Sequence, residues 1–262
     1  MYKIGVFDSG VGGLTVLKEI EKKIPDANII YFGDNANSPY GDKTEEQIKN
    51  LCVKIGDFLY KNDVDAIVIA CNTATAASLD ALRDKFPIPI IGVIEPGMRA
   101  ALKSTKNGKI SVIATPATVK LNAYKNVFKK LAPESYSFFQ RGCKLLCPMI
   151  EEGWEEKYSN YFRDEIITLY LEQIPEDADT LILGCTHYPM VKQTISEHFR
   201  NIIIDPAEET ALELLKQLKN VVPKIRKYTG IEYATSGDTN KFREIAEKFL
   251  GKHIDNVSNV VL

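Results

Sequence analysis

The chain has 262 residues, 45% of them hydrophobic and 26% charged, and its 33 Lys and Arg against 35 Asp and Glu leave a net charge of −2. This is ordinary globular composition, enough for one large or two small domains, and it argues against disorder and against a basic surface for nucleic acid. No apolar run approaches the ~18 residues of a membrane span, and Asp8 stands where a signal peptide needs its apolar stretch, so a cytosolic location is expected.

Short β-rich runs alternate with helical periods along the chain. Strands are predicted at Lys3–Phe7, Asn28–Phe32, Ala66–Ala70, Pro89–Val93, Lys109–Ala114, Ser135–Phe139, Thr180–Leu183 and Asn201–Ile204, with weaker ones near Glu232 and Val257. Most are continuous apolar runs, the pattern of strands covered on both faces. Between them, Leu14, Leu17, Ile20 and Ile24 recur at helical spacing. Thr44 and Gln47 form a capping-box pattern, opening a helix whose apolar face includes Cys52. Leu79, Leu82 and Phe86 mark the next helix, and Phe162, Ile166, Leu169 and Gln173 a later one started by Ser159 or Asn160. The acidic stretch around Trp154 reads as an exposed helix end, and His198 and His253 read as solvated surface. Repeated βα units predict parallel sheets with helices on both faces.

Five cysteines stand at 52, 71, 143, 147 and 185. An odd count in a cytosolic chain argues against a disulfide framework, and Cys143 and Cys147 lack the second close pair that a zinc site needs. Two of the five fall in an internal repeat. Asp65–Thr73 aligns without gaps on Asp179–His187, an offset of 114 residues, so that Cys71 lies over Cys185. A weaker echo sets Lys3–Asp8 against Lys109–Ala114. The expectation is an α/β fold of two similar domains, each a mostly parallel sheet, with the active site in the interdomain cleft.

A Cys at a strand end is, taken alone, a small buried hydrophobe. Two of them on one cleft suit another task. One thiolate removes a proton from a substrate carbon, and the other thiol returns a proton to the opposite face, which inverts configuration. Thiol pKa values near 8.5 keep both protonation states within reach. His187 and Asp8 are candidates to tune the two thiols. The turn Asp8-Ser9-Gly10-Val11-Gly12-Gly13 follows a strand and opens a helix, so its N–H groups could cradle an anion. It lacks the third glycine of a dinucleotide fingerprint and the Gly-Lys of a P-loop.

Gly5–Leu14, Tyr31–Asp34 with Pro39–Gly41, Ala70–Thr75, Gly92–Gly97, Cys147-Pro148 with Glu152-Gly153, and Leu183–Pro189 occur in this order over about the first 190 residues. In these stretches the chain resembles the glutamate racemases of the cofactor-independent aspartate/glutamate racemase superfamily. The resemblance implies interconversion of L- and D-glutamate without a cofactor, supplying D-glutamate for peptidoglycan. It makes Cys71 and Cys185 the acid/base thiols, the first acting on D-glutamate and the second on L-glutamate. It gives Asp8, Glu152 and His187 a part in proton transfer. It puts Ser9, Tyr40, Gly41, Asn72, Thr73 and Thr186 in contact with substrate, together with Asp8 and His187. It also implies a homodimer, no metal, and a discontinuous first domain, 1–95 plus 208–262, around a second at 96–207.

Departures from the family pattern include Asn37, Ala114, Leu121 and Pro206, and Thr115 and Thr118 are further possible carboxylate contacts. The matched binding set contains no Lys or Arg, so hydroxyls, amides and backbone N–H groups must hold the carboxylates. Three rival readings are another enzyme of the superfamily acting on aspartate, a hydantoin or a malonate derivative, an amino-acid-binding protein of two α/β lobes, and a racemase that uses pyridoxal phosphate. The last needs a Schiff-base Lys, and none occurs in the matched motifs.

Overall fold

A computed structural model of the chain describes residues 1–224 and 230–262. The first half runs β1 (Lys3–Asp8), α1 (Leu14–Lys23), β2 (Asn28–Gly33), α2 (Glu45–Lys61), β3 (Ala66–Ile69), α3 (Asn72–Lys85), β4 (Ile90–Gly92) and α4 (Ile94–Ser104). It continues as β5 (Lys109–Ala114), α5 (Pro116–Lys120), α6 (Ala123–Leu131), β6 (Ser137–Gly142), α7 (Leu146–Lys157), α8 (Asn160–Leu171), β7 (Thr180–Gly184), α9 (Lys192–His198) and β8 (Ile202–Ile204). It closes with α10 (Pro206–Leu218), β9 (Gly230–Thr235), α11 (Thr239–Leu250) and β10 (Val257–Asn259).

The strands form two sheets, ordered β10-β9-β2-β1-β3-β4 and β6-β5-β7-β8, and every pairing is parallel. The order β2-β1-β3-β4 repeats as β6-β5-β7-β8, so β1 corresponds to β5 and β3 to β7. These are the pairs that the two sequence echoes align. The first sheet draws strands from both ends of the chain, and the second only from its middle. The chain passes between them within α4 and α10, so the expected domain limits at 95/96 and 207/208 fall in the first turns of those helices rather than in linkers.

The physical causes are local. Thr44 and Gln47 make the reciprocal capping box that starts α2, and Cys52 is fully buried on its inner face. Leu14, Leu17 and Ile20 line the buried side of α1, each burial contributing about 1.5–3 kcal/mol. Helix α10 packs against α1 and α4, which joins the two sheets through one apolar core. Two expectations need correction. Helix α8, capped by Ser159, buries Ile166, Ile167 and Tyr170, whereas Phe162 and Leu169 are exposed. Trp154 is buried in the core rather than lying on an exposed helix end. His198 and His253 are exposed, as read from their surroundings.

Candidate active site

Each sheet reverses its winding between its first and third strands in chain order, β1 and β3 in one sheet, β5 and β7 in the other. Ligands in open parallel sheets collect beyond the carboxyl ends of strands at such a switch. Ser9 and Cys71 follow β1 and β3, and Thr115 and Cys185 follow β5 and β7. All four line a single cavity of ≈ 330 Å³. Tyr40, Gly41, Asn72, Thr73, Thr186 and His187 line it too.

Cys71 caps the N-terminus of α3. Its sulfur accepts the Ala74 N–H at 3.4 Å, and its thiol lies 3.7 Å from the Ser9 hydroxyl. Burial, reinforced by the charge of Asp8, pushes its pKa up to about 12. A cation arriving in the cavity would favour the thiolate, as does the N-terminal end of α3.

Asp8 is fully buried and does not line the cavity. It is the anion that the glycine-rich turn holds. Gly10 donates its N–H to Oδ1 at 2.8 Å, and Thr186 donates its hydroxyl to Oδ2 at 3.4 Å. The anion that the N–H groups of this turn cradle is thus the carboxylate at the end of the preceding strand. Burial raises the Asp8 pKa against the pull of the positive His187 ring. The turn also abuts the second sheet. A Cβ on Gly12 would fall 2.4 Å from Oγ1 of Thr186, so only glycine allows this approach.

Around Cys185 the groups differ. Its sulfur lies 3.7 Å from Nδ1 of His187, and Nε2 of His187 lies 2.8 Å from a carboxylate oxygen of Glu151. Burial opposes a charged ring, yet Cys185 and Glu151 hold the His187 pKa well above the usual imidazole value. Burial alone would raise the Glu151 carboxyl, but His187 outweighs it and holds that pKa down. The Cys147 thiol, 3.3 Å away, and burial together push Cys185 well above the ordinary thiol range, with His187 pulling the other way.

The carboxylate at His187 is thus Glu151 and not Glu152. Glu152 is exposed and accepts a hydrogen bond from the Tyr158 hydroxyl at 2.9 Å. The reason is helical phase. Cys147 and Glu151, four residues apart on α7, share the face turned to residues 185–187. Gly153, at φ 116°, then breaks the helix in a region that glycine tolerates.

The remaining polar groups are preset by neighbours. The Tyr40 hydroxyl donates to Asp34 at 2.6 Å, and the Tyr124 hydroxyl donates to Asn72 at 2.8 Å. Thr73, Thr115 and Thr118 form a triangle of hydroxyls with sides of 2.9–3.0 Å that joins α3 to α5. Thr115 reaches the cavity, while Thr118 lies buried behind it. In α3, the Thr75 N–H bonds the Cys71 carbonyl and the Ala74 N–H the Cys71 sulfur, and the two preceding residues, Asn72 and Thr73, face the cavity. One cation missing from the sequence reading is present, since exposed Lys144 stands on the rim. Thr115, named from the sequence as a possible carboxylate contact, does reach the cavity, and it holds in the second repeat the place Ser9 holds in the first. Glu151 and Cys147 had no such signal.

Residues 4–214 match the Asp/Glu/Hydantoin racemase family. Glutamate racemase of Fusobacterium nucleatum is 42% identical over 256 residues, covering 97% of this chain and 96% of the relative. A glutamate racemase isoform of Bacillus anthracis superposes with a TM-score of 0.93 at 39% identity, covering 100% of this chain and 98% of that one. Glutamate racemase of Francisella tularensis, solved in complex with D-glutamate, gives 0.90 at 34% identity, with coverage of 99% and 97%.

Proposed function

Since the chain belongs to the Asp/Glu/Hydantoin racemase family, we propose that it interconverts L- and D-glutamate by moving a proton between two thiols, without a cofactor. One observation carries this reading: topologically equivalent strands of the two sheets each deliver one cysteine, Cys71 and Cys185, to the same cavity. Two sources of protons suit a reaction that must break a Cα–H bond on one face and remake it on the other.

From L-glutamate, the Cys185 thiolate takes the α-proton. The electron pair of the C–H bond stays on the α-carbon and spreads into its carboxylate, and an S–H bond forms. The Cys71 thiol then gives its proton to the other face. From D-glutamate the two sulfurs exchange roles. His187, kept positive by Glu151, favours the Cys185 thiolate. Burial and the charge of Asp8 hold the Cys71 thiol protonated, so the substrate ammonium supplies the positive charge that favours its thiolate. Asp8 acts from behind the turn rather than at the cavity wall.

Ser9, Thr73, Thr115 and Thr186, with the N–H groups at the start of α3, form a donor set for the two carboxylates. Their positions are fixed by neighbouring hydrogen bonds before substrate arrives, which limits reorganisation during the reaction. The resemblance also carries the expectations of a homodimer and of D-glutamate supplied for peptidoglycan. No helix among the described residues is long and apolar enough to cross a membrane.

The test follows optical activity. Purified, dialysed protein should drive the circular dichroism of pure L-glutamate and of pure D-glutamate to zero, and should leave L-aspartate largely unchanged. Faster loss of the aspartate signal would favour a racemase of the other acidic amino acid.

A further inference from the structure

The proton-transfer steps use Cys71 and Cys185 and give Cys147 nothing to do. Yet Cys147 is half-buried on the cavity wall, with its sulfur 3.3 Å from that of Cys185. Nδ1 of His187 is 3.7 Å from the Cys185 sulfur, and the two sulfurs and a ring nitrogen of His187 all lie within 4.8 Å of one another. In a tetrahedral zinc site, with bonds of about 2.3 Å to sulfur and about 2.0 Å to nitrogen, neighbouring ligand atoms stand roughly 3.5–3.8 Å apart. Two sides of the triangle, 3.3 and 3.7 Å, are already close to that spacing without a cation, and the third is no longer than 4.8 Å.

The outer partner fits as well. Metal-bound histidines commonly donate their other ring nitrogen to a carboxylate, which fixes the tautomer. Nε2 of His187 meets Glu151 at 2.8 Å, so a ring that gives up its Nδ1 proton presents the Nδ1 lone pair to the cation. We propose that Cys147, Cys185 and His187, brought together where α7 packs against the turn after β7, bind a thiophilic divalent cation of the zinc class, with the fourth position open to the cavity.

The balance is simple. The two S–H protons and the Nδ1 proton of the His187 ring leave to solvent, and two sulfur–metal bonds and one nitrogen–metal bond form. No oxidant is consumed, and a chelator reverses the process. Because protons compete for both sulfurs, affinity rises with pH. The occupied Cys185 can neither accept nor donate a proton, so the cation blocks racemisation. That last consequence rests on the proposed function, whereas the binding itself does not.

The probe is Co²⁺ added to reduced, chelator-treated full-length protein, followed by Zn²⁺. At one equivalent the cobalt protein should show the visible bands of a tetrahedral site and a thiolate charge-transfer band, both abolished by Zn²⁺. Racemisation should fall in step with zinc occupancy and return with EDTA. Cys147→Val should lose the cobalt bands, and the racemisation it retains, whatever its rate, should resist zinc. Cys147→Ser, closer in size, should bind cobalt at least about tenfold more weakly, which guards against a misfolded valine variant. Absence of the bands in the wild-type protein, or equal cobalt affinity in Cys147→Ser, would overturn the site. Cobalt bands in a protein that racemises neither enantiomer would uphold the site and reject the assigned reaction instead.

Discussion

Oε1 of Glu151 stands 2.8 Å from Nε2 of His187, so the imidazole beside Cys185 is held at both nitrogens. A carboxylate of α7 thereby sets the charge of a ring in the next sheet connection. Glu151→Gln removes the charge and keeps the shape. The lost charged hydrogen bond is worth about 1.5–3 kcal/mol, or roughly ten- to a hundredfold in kcat/KM. The adjacent change, Glu152→Gln, alters an exposed group and should stay within about twofold. Circular-dichroism rates on both enantiomers decide the matter, and equal losses in the two variants would contradict the placement.

The two thiols should separate by handedness. A substrate analogue whose carbanion expels a β-leaving group needs one base and no second proton. Cys71→Ser retains Cys185, so it should favour elimination from the L-analogue, and Cys185→Ser should favour the D-analogue. Racemisation should fall steeply in both. The same preference in both variants would contradict a two-sided site, and exchanged preferences would reverse the assignment of faces.

Alkaline pH should destabilise the fold. The folded Cys71 thiol titrates at about 12 against an ordinary 9.0, and Cys143 is likewise pushed up to about 12, mainly by burial. Between those values the unfolded chain has lost protons that the native protein keeps. The contribution is therefore fully present below pH 9.0 and is lost as pH rises toward 12. Each thiol gives a slope of up to about 1.4 kcal/mol per pH unit. Urea unfolding across this range should show the decline, and Cys71→Ser should make it shallower. An unchanged slope in the variant would mean that the Cys71 thiol is not held in this way.

Gly12 is a contact between sheets as much as a turn residue. A methyl group there would meet Thr186 and His187 at 2.4–2.6 Å. Gly12→Ala should cost about 1–3 kcal/mol of stability through overpacking and displace His187. Thermal melting together with rates on L-glutamate measures both effects. A variant with unchanged melting and rates would show that the two sheets separate freely at this point.

Much of this architecture was legible because it repeats. The gapless alignment of Asp65–Thr73 on Asp179–His187 picked out β3 and β7, whose equivalence is physical: each lies third in its sheet by chain order, beside β1 or β5. The capping box at Thr44 was equally readable, being local. What escaped was set by helical phase and by contacts distant along the chain. Glu151 and Glu152 are chemically identical neighbours, and only the packing of α7 decides which one meets His187. The N–H groups of the first turn were visible as donors, but that Asp8 itself would claim them depended on how the turn folded back. Cys147 looked partnerless because its partner lies 38 residues on.

The unequal surroundings of Cys71 and Cys185 meet a limit set outside the protein. Mirror-image glutamates have the same free energy in water, so their equilibrium constant is unity. The ratio of kcat/KM for the two directions must then also be unity, whatever Asp8 does to one sulfur and His187 to the other. The asymmetry can therefore show itself only as compensating differences, with the enantiomer that is bound more weakly turned over proportionately faster.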